Sequence, residues 1–584
     1  MKLTRWTSCL LTAAILLTAC GSADAPRGAS VAPSTASGDP TPRQPVKRTL
    51  LMIENALSTN FAAKALAGSS TGVAFNIPAT IFNATLTMAD HRGQVSPFLA
   101  ESLPQLDTDS WKRFPDGTME TTYNLKRNLT WHDGQPLTAE DFVFAWQVYR
   151  TPEYGQDRSR PIVWMTNVQA PDPLTLVIRW SQSYADAGKL GSIPANSFHP
   201  LPRHLLEQAH QSSTGSGDQF LPNNPFWTSG YVGAGPFKLE SYNPGVAIEA
   251  TAFDAFVLGR PQLDWIIMRG INDVNTALVT LVAGEAHYAA DMFRGDEGLV
   301  LERDWASAGG GGTILWEALG SRELAFQMRT EQAQPLEFAT DVRARRALHH
   351  AIDIKSAFDA VTAGHGLMSD TSTHPNETWY PQVERVVDKY PFDVRRAAQL
   401  FEEAGFTRGA DGRWLTPRGT PFELPIWYTV GSILFQQENA IIVDQLKQFG
   451  IAATSQAFNT QSSSNMERAL LPGLQGGSAN SVLGFRSADI PRADTRWTGG
   501  NRGGYSNPAM DQLADRLEGS VAPDEILQLT TEITKIRKAD LPSIFLYYQS
   551  RVYAHDSRLK GPKNRLVETA GNATRNIHEW YWDS

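Results

Sequence analysis

The chain has 584 residues, of which 41% are hydrophobic and 19% are charged, and this globular composition excludes collagen, coiled coil and wholesale disorder. At about 100 to 200 residues per domain, the length predicts about three units or one large multi-lobed fold. The 61 acidic residues outnumber the 52 Lys and Arg, for a formal charge of −9, so the chain lacks the basic excess that binding to a nucleic acid backbone requires. We therefore expect no nucleic acid partner.

The first twenty residues have the features of a secretory signal. A basic start is followed by an apolar run from Leu10 to Leu17 and then by small residues. This run is too short for the roughly 20 residues of a membrane-spanning helix. The 2 cysteines, Cys9 and Cys20, both lie in this segment, which excludes a disulfide within the folded body.

Residues 17–20, Leu-Thr-Ala-Cys, resemble the lipobox of bacterial lipoproteins, in which the cysteine is acylated and becomes the first residue. The resemblance implies that residues 1–19 are removed and that Cys20 anchors the protein to a membrane, since each buried methylene contributes about 0.8 kcal/mol. The alternative is a plain signal peptide with a chance cysteine. Residues 20–47 are rich in Gly, Ser, Ala, Pro and Thr, a composition that predicts a flexible tether.

Strands that alternate with helices follow the tether and indicate an α/β fold. Residues 50–53 form the first predicted strand, and residues 122–125 alternate in the strand period before a turn at Asp133-Gly134. Thr138 and Asp141 match a capping box at the start of a helix. Three further helices are predicted from helical spacing and a following glycine: 274–283, 394–404 and 436–449.

The sequence lacks the motifs that are typical of catalysis and metal binding. His132 and Asp133 lie in the predicted turn, and His349 and His350 are adjacent, whereas a metal-binding pair on a helix needs a spacing of three or four. Residues 476–480, Gly-Gly-Ser-Ala-Asn, lack the final glycine of a nucleophile elbow. We therefore expect no enzymatic activity, no cofactor and no metal site.

Several segments resemble the extracellular solute-binding proteins of family 5, which serve peptide and nickel ABC transporters. The clearest is the segment 122–146, which is similar to that family's signature almost throughout. Further similar segments follow in the family's order: 97–103 upstream, then 233–239, 275–285, 341–353, 397–405 and 504–508. The resemblance extends from about Leu50 to the C-terminus.

This resemblance implies a two-lobed periplasmic-binding-protein clamshell of the α/β class (class II, or cluster C, type), which closes about a hinge. We expect the lobes to be joined by crossings near residues 325–329 and 544–548. The expected divisions are a first lobe at 48–90, 229–325 and 546–584, with an extra subdomain at 91–228, and a second lobe at 326–545.

In peptide-binding members of the family, an aspartate in an Ala-Asp-Tyr segment pairs with the ligand's α-amino group, and Gly-Trp lies closely before it. The nearest match here is Gly-Phe-Arg-Ser-Ala-Asp-Ile-Pro at residues 484–491, in which Phe replaces Trp, Ile replaces Tyr and one residue is inserted. The resemblance therefore implies a role for Asp489, with Asp494 as the alternative. We also expect ligand contacts at six further positions: Phe485, Ala488, Trp497, Ser70, Thr71 and Trp379.

The leading functional hypothesis is an extracytoplasmic, lipid-anchored and monomeric receptor that captures di- or oligopeptides and delivers them to an ABC permease in the membrane. The alternative within the same fold is an oligosaccharide or a metal chelate as ligand. An extracellular hydrolase is the hypothesis from another class, and it would need a catalytic triad that the sequence does not display.

Overall fold

The computed structural model describes residues 48–583 except 65–76, 155, 158, 194–195, 214–223, 310, 431, 460–462, 480, 496 and 568. The predicted signal and tether, together with Cys20, Ser70 and Thr71, lie outside the described residues. The roles expected for these three residues stay predictions.

The described strands are β1 (Thr49–Glu54), β2 (Thr87–Ala89), β3 (Val95–Pro97), β4 (Trp111–Arg113), β5 (Met119–Asn124), β6 (Met165–Asp172), β7 (Thr175–Trp180), β8 (Phe237–Asn243), β9 (Ala247–Ala252), β10 (Trp265–Gly270), β11 (Tyr288–Phe293), β12 (Gly312–Phe326), β13 (Gly366–Leu367), β14 (Thr407–Arg408), β15 (Trp414–Leu415), β16 (Glu423–Thr429), β17 (Ala452–Phe458), β18 (Leu474–Gly477), β19 (Ser543–Asp556), β20 (Leu559–Lys560) and β21 (Tyr581–Trp582).

The described helices are α1 (Ile77–Phe82), α2 (Ala139–Arg150), α3 (Arg203–Ser212), α4 (Val274–Val282), α5 (Gly295–Ser307), α6 (Glu337–Thr340), α7 (Val342–Ala351), α8 (Ile354–Thr362), α9 (Tyr380–Glu384), α10 (Val394–Glu403), α11 (Ile433–Gln448), α12 (Asn465–Ala469), α13 (Pro508–Gly519) and α14 (Pro523–Asp540). Short 3₁₀ turns lie between several of these elements.

Local capping sets the helix boundaries. Helix α2 begins after Thr138, whose backbone N–H donates to the Asp141 carboxylate at 2.9 Å, as the capping box predicts. Helices α4 and α10 lie within a residue of the predicted ranges. Helix α11 begins three residues earlier than predicted, because the Ser432 hydroxyl accepts from the N–H of Phe435 and caps the helix there.

One sheet of eleven strands extends through the fold in the order β17-β16-β18-β12-β19-β11-β1-β10-β9-β8, with β13 added to β19. Its longest ladder joins β12 and β19 in antiparallel pairing, from Gly312 opposite Asp556 to Ala325 opposite Ser543. On either side of this ladder the sheet contains parallel pairs, β1 with β10 and β11, and β16 with β17 and β18. A separate sheet, β4-β5-β7-β6, packs beside α2.

Two large apolar cores lie at the two ends of the ladder. The first core is built mainly from residues 50–290, with a few later residues such as Tyr553 and Trp580. The second core is built from residues 324–547. A third, smaller core packs Ile53 with Val552 and Ala554 between β1, β11 and β19. The long strands β12 and β19 therefore lead from one large core to the other, and the exact lobe divisions given above stay a prediction.

Candidate functional site

Chain order places a crevice at the carboxyl end of two parallel strands. Strand β1 lies between its parallel neighbours β10 and β11, and β16 lies between its parallel neighbours β17 and β18. Because the two later strands of each set lie on opposite sides of the first strand, β1 and β16 are each at a switch point of the sheet. In open α/β sheets such a switch point leaves a crevice outside the carboxyl ends of the strands, where ligands bind. The two crevices begin after Glu54 and after Thr429.

The register directs both sets of carboxyl ends toward one stretch of the ladder. Strand β11 runs along β19 from His555 to Val552, and β18 runs along β12 from Phe326 to Glu323. Between these levels lie residues 317–322 of β12 and 546–551 of β19, which we call the central ladder. The β12–β19 register is irregular there, shifting between Glu317 and Gly320. The candidate site is the space over the central ladder.

Ion pairs join residues in and next to the central ladder to other segments. Buried Glu317 pairs with Arg565 at 2.7 Å, and buried Glu323 pairs with Arg537 at 2.8 Å. The third pair joins Arg322 of β12 to Glu438 of α11 at 2.5 Å. Because each of these carboxylates already faces a guanidinium, the three pairs hold elements together and leave no uncompensated charge for a ligand.

The Arg322–Glu438 pair is further enclosed on two sides. The Tyr547 hydroxyl donates to the Glu438 carboxylate, and the guanidinium of Arg322 lies 3.6 Å from the centroid of the Phe435 ring. Burial and the adjacent Glu438 carboxylate raise the pKa of Tyr547 well above its ordinary value. The tyrosine therefore stays protonated and serves as a hydrogen-bond donor.

The loop 485–505, which contains most of the predicted ligand residues, is held by an amide and a guanidinium. The side-chain amide of Asn501 donates to the carbonyl oxygens of Phe485, Arg486 and Tyr505 at 3.1, 3.0 and 2.7 Å. Arg329 donates to the carbonyl oxygens of Ala469, Pro491 and Arg502. The path of this loop is therefore fixed by buried polar contacts.

Asp489 lies in this loop and is already ion-paired. Its carboxylate accepts from Nε of Arg486 at 3.0 Å, and Arg486 also donates to Glu518 at 2.9 Å. The Asp489 side chain is 33% exposed. A ligand ammonium would share this carboxylate with Arg486, and the role expected of Asp489 stays a prediction. The alternative, Asp494, is exposed and pairs with Arg492 at 3.5 Å.

Phe485 packs inward, in contrast to its expected contact with ligand. Its ring is 3% exposed and lies in a small cluster with Tyr505 and Met510, under the guanidinium of Arg537 at 4.1 Å. A ring that is almost fully buried supports the loop and offers little surface to a ligand. The apolar ring suits that packing. Although Phe485 matches the Trp of the family's Gly-Trp segment, it does not present an exposed aromatic surface.

The other predicted positions that lie within the described residues are accessible. Ala488 is exposed beside Asp489, and Trp497 is partly exposed with φ of 59°, a left-handed conformation that is rare for a non-glycine residue. Its N–H donates to the carbonyl of Arg492 at 2.7 Å, which holds that turn. Trp379 lies in another segment, immediately before α9, and is partly exposed. The structure thus brings Phe485, Ala488, Asp489 and Trp497 into one loop and places Trp379 elsewhere in the chain.

Glu54, at the carboxyl end of β1, is a candidate site residue that the sequence reasoning missed. Its side chain is 8% exposed, and its Oε1 has no hydrogen-bond partner among the described residues. Burial raises the pKa of this carboxyl from 4.5 to about 8. The available signal was an acid at the end of the apolar strand Leu-Leu-Met-Ile, where the crevice begins.

Two properties of the described residues bear on alternative functions. They contain no group of three or more His, Cys, Asp or Glu side chains arranged to hold a metal ion. No helix in this part of the chain combines the length and the apolar character needed to cross a membrane.

The sequence itself matches a known family. The family model described as bacterial extracellular solute-binding proteins, family 5 (middle part), matches residues 94–497, more than half of the chain. The chain belongs to this family. This solute-binding protein therefore acts outside the cytoplasm, and the resemblance noted from its motifs is confirmed.

Individual relatives agree with that assignment. The solute-binding protein is 25% identical to the oligopeptide-binding protein AppA of Bacillus subtilis, over 85% of each chain. The structure of the oligopeptide-binding protein AppA from Bacillus subtilis in complex with a nonapeptide has a TM-score of 0.65 and 22% identity. The match covers 92% of this chain and 99% of that chain. NikZ from Campylobacter jejuni, in complex with Ni(L-His), has a TM-score of 0.68 and 21% identity over 92% and 100% of the two chains. These structures establish the α/β solute-binding fold that the sequence predicted.

Proposed function

We propose that this solute-binding protein is the peptide-capturing component of an ABC importer and delivers di- or oligopeptides to a membrane permease. The observation that carries the proposal is the opposition of two sets of strand carboxyl ends over the central ladder in a chain of this family. The name of the Bacillus subtilis relative, which covers most of both chains, supports a peptide as the ligand.

The arrangement suits a ligand that is held by its main chain. A peptide offers repeated N–H and C=O groups, which can be bound by the backbone and polar groups of a crevice while its side chains enter loosely filled pockets. We propose that Asp489 accepts from a ligand N–H group, because Arg486 already compensates its charge. Ala488 and Trp497 would border the ligand on the same loop, and Trp379, Ser70 and Thr71 are proposed as contacts from other segments.

Mass spectrometry of ligands that co-purify with the protein under non-denaturing conditions tests this proposal directly. We expect peptides, and we expect calorimetry to show binding of members of a synthetic set of two to nine residues. Recovery of a sugar or a metal chelate, with no peptide binding, would replace peptide capture by the corresponding alternative. The chelate alternative is raised by the fold neighbour NikZ, and such a ligand would have to carry its own metal ligands.

We further propose that acylated Cys20 holds the protein at the outer face of a membrane and that the residues up to 47 act as its tether. The two large cores would form the two lobes of a monomeric clamshell, divided as the family resemblance implies. These proposals rest on the lipobox, on the composition of the tether and on the two separate cores.

A further inference from the structure

The backbone at the end of β1 is fixed, which places the Glu54 side chain. The carbonyl oxygen of Glu54 accepts from the N–H of Ile271 at 2.8 Å. In the parallel register Glu54 lies between Gly270 of β10 and Ala290 of β11. Paired residues of neighbouring strands direct their side chains to the same face, and these two neighbours contribute only a hydrogen and a methyl group. The carboxyl group is therefore flanked by small residues at the start of the crevice.

Glu54 differs from the other buried acids of the described residues. Glu317, Glu323 and Glu438 each face an arginine. Asp141 accepts from the backbone N–H groups of Thr138 and Arg203. For Glu54 the structure has no ion pair and no side-chain hydrogen bond within this part of the chain, and its Oε1 is buried without a partner.

A buried carboxyl group without a partner opposes folding, and an apolar residue would end β1 at lower cost. Natural proteins retain such costs mainly where a ligand or a reaction needs the group. The position of Glu54 at a switch point is where open α/β sheets bind ligands. The burial of Glu54, its unpartnered oxygen and its position at the switch point therefore all indicate a carboxyl group whose partner is a bound ligand.

We propose that Glu54 is an acidic element of the ligand site and pairs with a cationic group of the bound solute, namely the α-ammonium group of a peptide. This inference rests on the proposed peptide function and assigns the recognition of the ammonium group to a residue outside loop 485–505.

Charge compensation favours Glu54 over Asp489 for this role. Asp489, Arg486, Glu518 and Arg160 form a chain of alternating charges that sums to zero. An ammonium at Asp489 would compete with a guanidinium that is already in place. At Glu54 the ammonium would supply the first opposite charge, and enclosure of the pair would make it strong.

The test uses the tightest-binding member of the synthetic peptide set and its N-acetylated form, measured by calorimetry on the wild type, Glu54→Gln and Asp489→Asn. On the wild type we expect acetylation to weaken binding by roughly thirtyfold or more, since an enclosed charge pair loses one partner. Glu54→Gln should weaken binding of the free peptide similarly and abolish the effect of acetylation, because both changes delete the same interaction. Asp489→Asn should retain the effect of acetylation.

A stability control separates ligand recognition from a structural role. We expect Glu54→Gln to leave Tm unchanged or to raise it, and Glu438→Gln to lower Tm. The reason is that Glu438 has a buried cationic partner, whereas Glu54 has none among the described residues. Glu54→Asp, which keeps a carboxyl group at this position, should retain part of the effect of acetylation.

Four results would overturn the inference. They are an unchanged affinity in Glu54→Gln, loss of the acetylation effect in Asp489→Asn instead, a fall in Tm of Glu54→Gln equal to that of Glu438→Gln, and a wild type whose binding is indifferent to acetylation. In each of these cases peptide capture itself stands. If no member of the peptide set binds the wild type, the proposed function fails and the inference fails with it.

Discussion

At the scale of single residues, Asp489 and Glu54 differ in exposure and in charge compensation. Asp489 is a partly exposed acid in an ion pair with Arg486. Glu54 is a buried acid whose Oε1 has no partner in the part of the chain that the structure describes. Electrostatic interactions are weak in the first setting and strong in the second. The two residues should therefore respond differently to substitution.

We expect Asp489→Asn to reduce peptide affinity by about 1 kcal/mol or less, the range of partly exposed pairs. Calorimetry with the tightest-binding synthetic peptide measures this difference. Asp494→Asn, in the same loop but exposed and paired with Arg492, is the matched control and should have no effect. A loss of roughly 2 to 5 kcal/mol in Asp489→Asn would instead place Asp489 in an enclosed pair with the ligand.

The pH dependence of the free energy of unfolding should also reveal the raised pKa of the Glu54 carboxyl. Burial raises the pKa of this carboxyl from 4.5 to about 8, so between these values the folded protein retains a proton that the unfolded chain has released. The free energy of unfolding should consequently decrease as the pH rises through this window. At about 1.4 kcal/mol per pKa unit, the wild type should lose on the order of 3 to 5 kcal/mol more than Glu54→Gln.

Urea unfolding of both proteins at about pH 4.5 and about pH 8.5 gives the difference directly, since the titration of all other groups is common to both. Parallel pH profiles for the two proteins would show that the Glu54 carboxyl ionises normally in the folded protein.

At the scale of elements, the Arg322–Glu438 pair joins a ladder strand to a helix of the second core. Both side chains are almost fully buried, and the Tyr547 hydroxyl of β19 donates to the same carboxylate. This contact links β12, β19 and α11 at the level of the candidate site. The position of α11 relative to the central ladder should therefore depend on it.

We expect Glu438→Leu to lower the free energy of unfolding by roughly 3 to 5 kcal/mol, because it leaves a buried guanidinium without a counter-charge. Urea denaturation measures the change. Lys355→Ala, which breaks an exposed pair with Asp359 within helix α8, is the control and should cost about 0.5 kcal/mol. If the apolar double variant Arg322→Met/Glu438→Leu were no more stable than Glu438→Leu, the unpaired charge would not be the cause.

At the scale of the whole molecule, contacts join helix α13 to the region of the first core. Glu518, near the end of α13, pairs with both Arg160 and Arg486. Arg160 also lies 4.7 Å from the centroid of the Trp164 ring, and Val521 belongs to the first core although α13 packs in a separate cluster. Arg160 belongs to the expected subdomain at 91–228 and Glu518 to the expected second lobe at 326–545, so the predicted division puts this contact across the clamshell.

We expect ligand binding to stabilise the closed form, since a ligand that touches both sides of the crevice binds that form better. Small-angle scattering should show a smaller radius of gyration with saturating peptide. Glu518→Gln should weaken peptide affinity by about 0.5 to 1 kcal/mol, as expected for a partly exposed ion pair. Lys355→Gln, which affects an exposed pair with Asp359 within helix α8, is the control. An unchanged scattering profile with peptide would indicate a rigid site.

Attachment to the membrane should depend on Cys20. Replacement by Ser removes the only thiol of the expected mature chain, so acylation at the lipobox becomes impossible. Cell fractionation and labelling with a fatty acid analogue should show a released and unlabelled protein. A Cys20→Ser protein that stays membrane-bound and acylated would contradict the lipoprotein hypothesis.

The sequence by itself determined the features that depend on near neighbours. The capping box at Thr138 and Asp141 and the extents of α4 and α10 follow from residues a few positions apart. The family followed from short motifs in a fixed order, each of which is also local. The spacing of Arg486 and Asp489, three residues apart, was a local signal of their ion pair that the motif comparison did not use.

Only the tertiary structure decided which groups face the crevice and which charges are compensated. Strands β12 and β19 are more than 200 residues apart in the chain, yet their register directs the carboxyl ends of both parallel sets to one place. The same distant packing encloses Phe485, which its motif suggested as a ligand contact. It supplies arginines to Glu317, Glu323 and Glu438, whereas the described part of the chain supplies no partner to Oε1 of Glu54. Burial and ion pairing are properties of the whole packed chain, so no local pattern can specify them.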